Sequence, residues 1–442
     1  MLDSLTYSRP RCWTTKVFLI VSVVLSGSAC GKSEPGAADG GVTGVAGSSG
    51  SGAGAGGASG MAGGGSGGTG GTVPREDAGT VDPDAGRPDG GAGQAGMPSA
   101  GKKAPPTGGT SGSPAEPTGL TERNSARVLL SGHSLTDNPI GDYLADLAEA
   151  RDRDYGWEQQ IIIGSPLRFR TRGESSSGFA GYSMGKNRDG SEKDLLQELE
   201  SPTAIGSSES YDTLIVTERH DIMDVIQWED TVPLLRHYHD RLREHESSAR
   251  TLFYQSWPDV DGDPQAWIDY QTEETAAWEC AASKVNLSLQ RDGAPQAVSV
   301  VPVAVALAKF VERVLAGSVP GVTELSDVFT DDVHVNSLGA FVAAAAAYSA
   351  TFQASPVGAQ PPSGVSAEAA NIALEVAWDV VSKYLRAGSS QWTRTMDDCR
   401  TRLSALCPKY MSIRGNSADC SIWGRADGPM SWPDTSFPLP AP

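Results

Sequence analysis

The stretch that decides the fold is Arg127-Val-Leu-Leu-Ser-Gly-His-Ser-Leu-Thr-Asp137, an apolar run that ends on a glycine and a serine. Three consecutive apolar residues at 128–130 are typical of a parallel strand that is covered on both faces. Gly132 permits a sharp turn directly after them. The pattern therefore predicts a strand that presents the side chain of Ser134 at its carboxyl end.

A helix is predicted after this turn, with Asn138 as its N-cap and Pro139 in its first position. Apolar residues follow at i, i+3, i+4 and i+7: Ile140, Tyr143, Leu144 and Leu147. Open α/β sheets bind ligands at the carboxyl ends of strands, and a helix N-terminus favours developing negative charge. Ser134 is therefore a candidate nucleophile, although most serines in front of helices are turn or capping residues.

The segment Asp331-Asp-Val-His-Val-Asn-Ser-Leu-Gly339 carries an acid three residues before a histidine. In a helical turn this spacing brings both side chains to one side. Asp331 can then hold one imidazole nitrogen of His334 while the other faces a serine, as a general base requires. The Ala-rich helix predicted after it would pack on the sheet and bring His334 to Ser134.

Together, the two segments resemble the first and last sequence blocks of the SGNH/GDSL hydrolase superfamily, over roughly Ala126 to Phe352. The resemblance implies a three-layer α/β/α, flavodoxin-like fold and a serine hydrolase that acts on carboxylic esters. It also implies that Ser134 is the nucleophile, His334 the base and Asp331 its orienting acid. Substrates in this superfamily include acetylated sugars and polysaccharides, lipids and small esters.

Two further sequence blocks of this family supply hydrogen-bond donors to the oxyanion that forms on the ester carbonyl oxygen. Gly164 stands where the family places an oxyanion glycine, whose N–H would join that of Ser134, although a glycine at a strand end is also ordinary turn chemistry. The family's Gly-x-Asn-Asp corresponds here to Glu218-Arg-His-Asp221. His220 replaces the asparagine, and it could donate one N–H to the oxyanion or serve as a structural histidine.

The remaining histidines and the cysteines do not indicate a metal site. His133 points away from Ser134 by strand alternation and is interpreted as structural, whereas His237, His239 and His245 fall on a polar helix and are interpreted as solvated. The sequence holds neither a His-x-x-x-His pair with a glutamate partner nor a Cys-x-x-Cys motif. We therefore expect no metal and no cofactor.

Residues 121–355 are predicted to form the hydrolase-like domain. Four further strands are predicted at 160–164, 211–217, 251–256 and 297–301, with helices between them. Strands that alternate with helices imply a parallel sheet with right-handed crossovers, here of about five strands.

Residues 1–30 read as an export signal, because basic residues precede the apolar run 17–25. Ser26-Gly-Ser-Ala-Cys30 resembles a bacterial lipoprotein cleavage site, with Cys30 lipidated and the protein anchored to a membrane of the cell envelope. Gly27 stands where such sites usually have leucine, so ordinary secretion is the alternative.

Residues 31–120 are dominated by Gly, Ser, Ala, Thr and Pro and cannot bury enough apolar surface to order the chain. They are predicted to be a disordered tether with a reach of roughly 50 Å. The net charge of −19 argues against nucleic acid as a partner, since such binding needs clustered Lys and Arg.

Residues 356–442 are predicted to form a helix and an irregular cap. Cys399, Cys407 and Cys420 join Cys280 as four thiols in an oxidising compartment, which predicts two disulfides with three possible connectivities. The whole chain is thus predicted to be an exported serine esterase whose substrate is a carbohydrate or small acyl ester. The alternative is a non-catalytic surface binding or scaffold lipoprotein that retains the fold.

Overall fold

A computed structural model describes residues 119–172, 184–260, 262–414 and 419–434, without the side chains of Arg172 and Leu196. The predicted export signal with Cys30 lies outside the described residues, as does the predicted tether up to residue 118. None of the helices in the described ranges is long and apolar enough to cross a bilayer.

Seven strands form one mixed sheet in the order β4-β3-β2-β1-β5-β6-β7. The strands are β1 (Ser125–Gly132), β2 (Asp154–Ile161), β3 (Gly185–Lys186), β4 (Glu192–Lys193), β5 (Thr213–Thr217), β6 (Arg250–Tyr254) and β7 (Val298–Val301). The five longer strands are parallel, and β3 and β4 pair antiparallel at one edge. The α/β class is confirmed, but the prediction of a sheet with only parallel strands is wrong.

The two antiparallel strands escaped prediction because each is only two residues long. They form a hairpin whose turn is closed by a hydrogen bond from the N–H of Asn187 to the carbonyl of Ser191, 2.7 Å away. Gly190 in this turn has a φ of +87°, a conformation that favours glycine. A hairpin this short has no run of alternating apolar residues by which to recognise it.

Strand β2 begins six residues before its predicted start, at Asp154, and ends at Ile161. Its polar residues Glu158 and Gln159 are buried, contrary to the apolar pattern on which the prediction relied. Lys193 supplies the partner for Glu158, with Nζ 3.0 Å from Oε2. Buried polar side chains are tolerated where they are paired, so tertiary contacts override the sequence pattern here.

Ten α-helices lie in the described part of the chain. They are α1 (Ile140–Ala150), α2 (Leu167–Arg172), α3 (Leu195–Glu200), α4 (Ile222–Trp228), α5 (Thr231–His245), α6 (Pro264–Arg291), α7 (Val303–Leu315), α8 (Ser337–Phe352), α9 (Ala367–Arg386) and α10 (Met396–Ile413).

Helices cover both faces of the sheet, because successive side chains of β1 point into two different apolar clusters. Val128 and Leu130 belong to the cluster that contains α1, α7, α8 and α9. Leu129 belongs to the other cluster, which contains α4, α5, α6 and α10. Such alternation is what a strand buried on both faces requires, and it agrees with a three-layer arrangement.

The five parallel strands, numbered among themselves in chain order, lie in the order 2-1-3-4-5. This is the flavodoxin-like order, in which the chain changes direction across the sheet between its first and third parallel strands. Here that switch point lies between β1 and β5, and ligands of such sheets bind outside the carboxyl ends of the strands at this point.

The cysteines of the C-terminal region form the two predicted disulfides, and the structure decides their connectivity. Cys280 of α6 pairs with Cys399 of α10, and Cys407 pairs with Cys420. The first of these attaches α10 to α6. Stable disulfides are typical of extracellular and periplasmic proteins.

The histidines of α5 differ from their prediction. His237 and His239 are buried rather than solvated, and only His245 is exposed. The Nδ1 atom of His239 lies 2.9 Å from Oγ1 of Thr251 on β6. Burial lowers the pKa of His239 to about 3, so the ring is neutral. The helix therefore directs polar side chains towards the sheet, and the spacing of polar residues in the sequence does not predict their hydrogen-bond partners there.

Candidate active site

The turn after β1 carries Ser134 at the switch point of the sheet. Ser134 is half-buried and opens a 3-10 turn that runs to Thr136. The hydroxyl of Thr136 accepts from the N–H of His133 at 3.1 Å and donates to its carbonyl at 3.0 Å. A Cβ at Gly132 would lie 1.8 Å from this hydroxyl, so the turn requires glycine there because of close approach.

His133 is a buried structural residue, in agreement with its interpretation from the sequence. Its Nδ1 accepts from the N–H of Leu135 at 3.3 Å, so Nε2 carries the proton and donates to the carbonyl of Glu218 at 3.0 Å. Burial lowers its pKa to about 3. The neutral ring therefore ties the turn of Ser134 to the end of β5.

Asp331 and His334 meet in the loop before α8. Oδ2 of Asp331 lies 2.8 Å from Nδ1 of His334, while Oδ1 accepts from the N–H groups of Val333 at 2.9 Å and His334 at 2.6 Å. Burial raises the pKa of Asp331, but these hydrogen bonds outweigh it and hold the pKa below its ordinary value. The ionised carboxylate therefore orients the ring and keeps a proton on Nδ1.

The backbone around this pair is held on both sides. The N–H and the hydroxyl of Thr330 donate to the carbonyl of His334 at 2.8 and 3.0 Å. Asn336 caps α8 by accepting from the N–H groups of Leu338 and Gly339. A Cβ at Gly339 would lie 2.6 Å from the carbonyl oxygen of Val328, so this helix start also needs a glycine.

The end of β6 contacts both the turn of Ser134 and the loop of His334. The hydroxyl of Tyr254 donates to the carbonyl of Leu135 at 3.2 Å, and Nε1 of Trp257 donates to the carbonyl of Val333 at 2.8 Å. Both loops therefore lie at the carboxyl edge of the sheet. Among the described residues, Ser134 and His334 share no hydrogen bond, and the ring of His334 contacts Asp331.

Trp257 and Trp267, in the segment that follows β6, are packing residues. Both are buried. Nε1 of Trp267 donates to the carbonyl of Pro258 at 2.9 Å, and its ring packs edge to face on Phe329 with 5.8 Å between centroids. The two tryptophans therefore support the loop of Asp331.

Gly164 lies in an exposed turn after β2, with a φ of +67° that favours glycine. The turn is closed by Ser165, whose N–H and hydroxyl donate to the carbonyl of Ile162 at 3.2 and 2.6 Å. The N–H of Ile162 in turn donates to the carbonyl of Gly132 at 3.1 Å. The Gly164 turn is thereby attached to the strand end that leads to Ser134.

His220 is half-buried after β5, with acidic residues around it. Burial lowers its pKa, against the carboxylates of Asp221 and Asp259, which raise it. The net shift is downward, so a neutral ring with one N–H donor is the favoured form near pH 7.

Glu218, which directly follows β5, is fully buried. Its Oε1 accepts from the N–H groups of Leu167 at 3.0 Å and Arg219 at 2.9 Å, and its Oε2 accepts from the hydroxyl of Thr231 at 2.7 Å. Its carbonyl also receives the hydroxyl of Ser256 at 2.9 Å. The Glu218 carboxylate therefore links α2, the end of β5 and α5 through hydrogen bonds.

Sequence reasoning missed Arg170, which is fully buried beneath these turns. The surrounding segment Leu167-Arg-Phe-Arg-Thr-Arg172 has an arginine at every second position and reads as a solvated basic helix. Nothing in that pattern indicates which arginine points inward, because the partners that decide it lie on other strands.

A groove of about 460 Å³ opens beside the Asp331 loop, lined by Val260, Leu325, Phe329, Thr330 and Asp332 among others. A larger cleft of about 860 Å³ lies elsewhere, between α6, α7, α9 and α10, and it includes none of the predicted site residues. No group of three or more metal-ligating side chains occurs within the ranges that the structure describes.

At the level of sequence, the chain matches neither a protein-family model nor a curated protein. Among solved structures, a DUF4886 family protein from Bacteroides uniformis ATCC 8492 is similar, with a TM-score of 0.41 and 16% identity over 58% of this chain and 95% of that one. A two-domain esterase active on acetylated mannans is similar with a TM-score of 0.28 and 12% identity, over 55% of this chain and 53% of that one. Both likenesses are distant.

Proposed function

We propose that this protein is an exported serine esterase that hydrolyses carboxylic esters through an acyl-serine intermediate. The observation that carries the proposal is the Asp331–His334 pair, with 2.8 Å between Oδ2 and Nδ1, at the sheet edge that also carries Ser134. An ionised acid on Nδ1 leaves Nε2 as the basic atom of the ring. That is the arrangement a serine nucleophile needs in its general base.

In this mechanism, Nε2 of His334 takes the proton of Ser134 as Oγ attacks the ester carbonyl carbon. The bond from that carbon to the leaving alkoxide then breaks, and His334 returns the proton to release an alcohol. Water attacks the acyl-serine in the same way, with His334 again taking and returning a proton, which releases the acid. Asp331 holds the ring throughout and stabilises its protonated form.

The proposed oxyanion donors are the N–H groups of Ser134 and Gly164, with His220 as a third. The Ile162-to-Gly132 hydrogen bond of 3.1 Å, which attaches the Gly164 turn to β1, supports the first two. The downward shift of the pKa of His220 supports a neutral donor in place of the family's asparagine. Each such donor contributes about 10²–10³ in turnover where it has been removed from other enzymes.

The disulfides support the export that this proposal includes. We further propose the division into signal (1–30), tether (31–120), hydrolase-like domain (121–355) and C-terminal cap (356–442), with Cys30 as a lipid anchor. The proposed substrate is an ester of a carbohydrate or of a small acyl group.

A second candidate is a surface binding module that keeps the fold without catalysis. The replacement of the family's asparagine by His220, together with a Ser134 hydroxyl that is not hydrogen-bonded to His334, favours it.

A fluorophosphonate probe, which reacts with activated serines, separates the two candidates. The wild type and the control Ser337→Ala, at an exposed serine three residues after His334, should both be labelled, and Ser134→Ala should not. His334→Ala should lower p-nitrophenyl acetate hydrolysis by at least about a thousandfold. Absence of labelling in folded wild type would favour the binding module.

A further inference from the structure

We propose that Arg170 is a positioning residue of this site, which sets the spacing of the nucleophile, the oxyanion turn and His220. The inference rests on the proposed function, since this spacing matters only if these groups act on one ester. It assigns a role to a charged side chain that the mechanism above does not use.

The guanidinium of Arg170 donates hydrogen bonds to three segments of the chain that border the proposed site. Nε donates to Oγ of Ser131 at 3.1 Å, and Nη1 donates to the carbonyl and hydroxyl of Ser165 at 2.8 and 3.1 Å. Nη2 donates to the carbonyl of Thr217. One rigid side chain therefore holds the end of β1, the turn after β2 and the end of β5.

Each of these contacts lies within three residues of a proposed site residue. Ser131 precedes Ser134 by three positions, Ser165 directly follows Gly164, and Thr217 precedes His220 by three. The guanidinium is planar and presents its donors in a fixed fork, so it sets the distances among its partners as well as binding them. A lysine would present one mobile point charge in its place.

Glu218 is buried as completely as Arg170 and interacts with it electrostatically, although its carboxylate oxygens are hydrogen-bonded to other groups. Burial lowers the pKa of Arg170 and raises that of Glu218, and the two opposite charges counteract both shifts. Buried ion pairs are often no more stabilising than apolar side chains of similar size. Stability alone is therefore a weak reason for two opposite charges at this depth, whereas the positions of the Arg170 hydrogen bonds give a specific one.

Arg250 offers a matched control at the amino-terminal ends of the strands, opposite the proposed site. It is half-buried at the start of β6 and also binds backbone carbonyls, those of Ala350 at 3.3 Å and Thr351. Its Nε lies 3.4 Å from Oγ1 of Thr213. Arg250 thus has the same chemistry as Arg170, but it touches no segment of the proposed site.

The test compares Arg170→Met, Arg170→Lys and Arg250→Met in full-length protein, by p-nitrophenyl acetate kinetics per folded molecule and by thermal unfolding. Arg170→Met should lower kcat by about 100-fold, because displacements near 1 Å have effects of this size, with KM changed by less than about threefold. Arg170→Lys should lower kcat by about tenfold, between the values of wild type and Arg170→Met. Arg250→Met should lose stability but keep kcat within about twofold.

Arg170→Met removes the positive charge near the buried Glu218, so a second variant guards the test against a loss of folding. The double variant Arg170→Met/Glu218→Gln removes both charges and should regain stability while kcat stays low. The inference would be overturned if the double variant had a kcat as high as that of Arg250→Met. It would also be overturned if Arg170→Lys kept the wild-type kcat. If the wild type shows no hydrolysis that depends on Ser134, the proposed function fails and this inference fails with it.

Discussion

Replacing Asp331 by asparagine tests the proposed chemistry with the smallest change of shape. In the structure, Oδ1 of Asp331 accepts from two backbone N–H groups and Oδ2 contacts Nδ1 of His334 at 2.8 Å. An asparagine can keep the first two hydrogen bonds with its carbonyl oxygen, but it then presents an NH₂ group to Nδ1. Nδ1 must accept instead, so the proton of the ring moves to Nε2, which can no longer take one from Ser134.

The expected loss of kcat is about 10³–10⁴-fold, as for the corresponding change in other serine hydrolases. Stability should change little, because the side chains of His334 and Asp331 are 43% and 50% exposed. An exposed pair of this kind contributes at most about 1 kcal/mol. The variant should therefore unfold near the wild-type temperature while being almost inactive.

The assay is p-nitrophenyl acetate hydrolysis at pH 8, with the rate of fluorophosphonate labelling as a second readout. Asp332→Asn is the matched control, since it makes the same change of charge one position away. Asp332 is exposed, and its backbone carbonyl accepts from the N–H of Val260 at 2.5 Å. A folded Asp331→Asn protein with more than about a tenth of wild-type kcat would refute the role of Asp331 as the orienting acid.

Three further predictions concern stability. Gly132→Ala, whose Cβ would lie 1.8 Å from Oγ1 of Thr136, should destabilise the protein by about 1–3 kcal/mol in urea unfolding and lower esterase kcat. Burial raises the pKa of Glu274 from 4.5 to about 8. The protonated carboxyl group therefore contributes its full share of the unfolding free energy below pH 4.5, and this share is lost as the pH rises through 8. Glu274→Gln should flatten this decline in unfolding free energy. Removing the Cys280–Cys399 disulfide with serines should lower the unfolding free energy by about 5 kcal/mol, given its 119-residue separation.

Each of these has its own control. Gly119→Ala, with no atom within 4 Å of the added carbon, should be neutral. Glu273→Gln removes an exposed carboxylate that pairs with Lys409, so it should leave the pH dependence of the unfolding free energy unchanged. An equal slope of unfolding free energy against pH in both glutamine variants would contradict the assignment to Glu274. Removing Cys407–Cys420, which closes only 13 residues, should cost about 3 kcal/mol, and a larger loss than for Cys280–Cys399 would contradict the chain-entropy argument.

Much of the fold was predictable because it depends on local patterns. The apolar run at 128–130 predicts β1, and the alternation of strands and helices predicts an α/β protein. The i, i+3 spacing predicts that Asp331 and His334 meet, and their atoms lie 2.8 Å apart. The catalytic roles of Ser134, His334 and Asp331 stay predictions, as do the oxyanion roles of Gly164 and His220.

Two of the errors share one physical cause. The polar residues of β2 and the histidines of α5 are buried by partners on other elements, so local polarity misled the predictions of both segments. The hairpin of β3 and β4 is too short for any periodicity.

The sequence by itself determined the features that depend on residues close together along the chain. These are the strand and turn that present Ser134, the acid beside His334, and the number of cysteines available for pairing. Only the tertiary structure decided which cysteines pair, and that Arg170 and Glu218 are both buried. These features join residues that are distant in sequence, and their free energy depends on burial and on partners that exist only once the sheet is assembled.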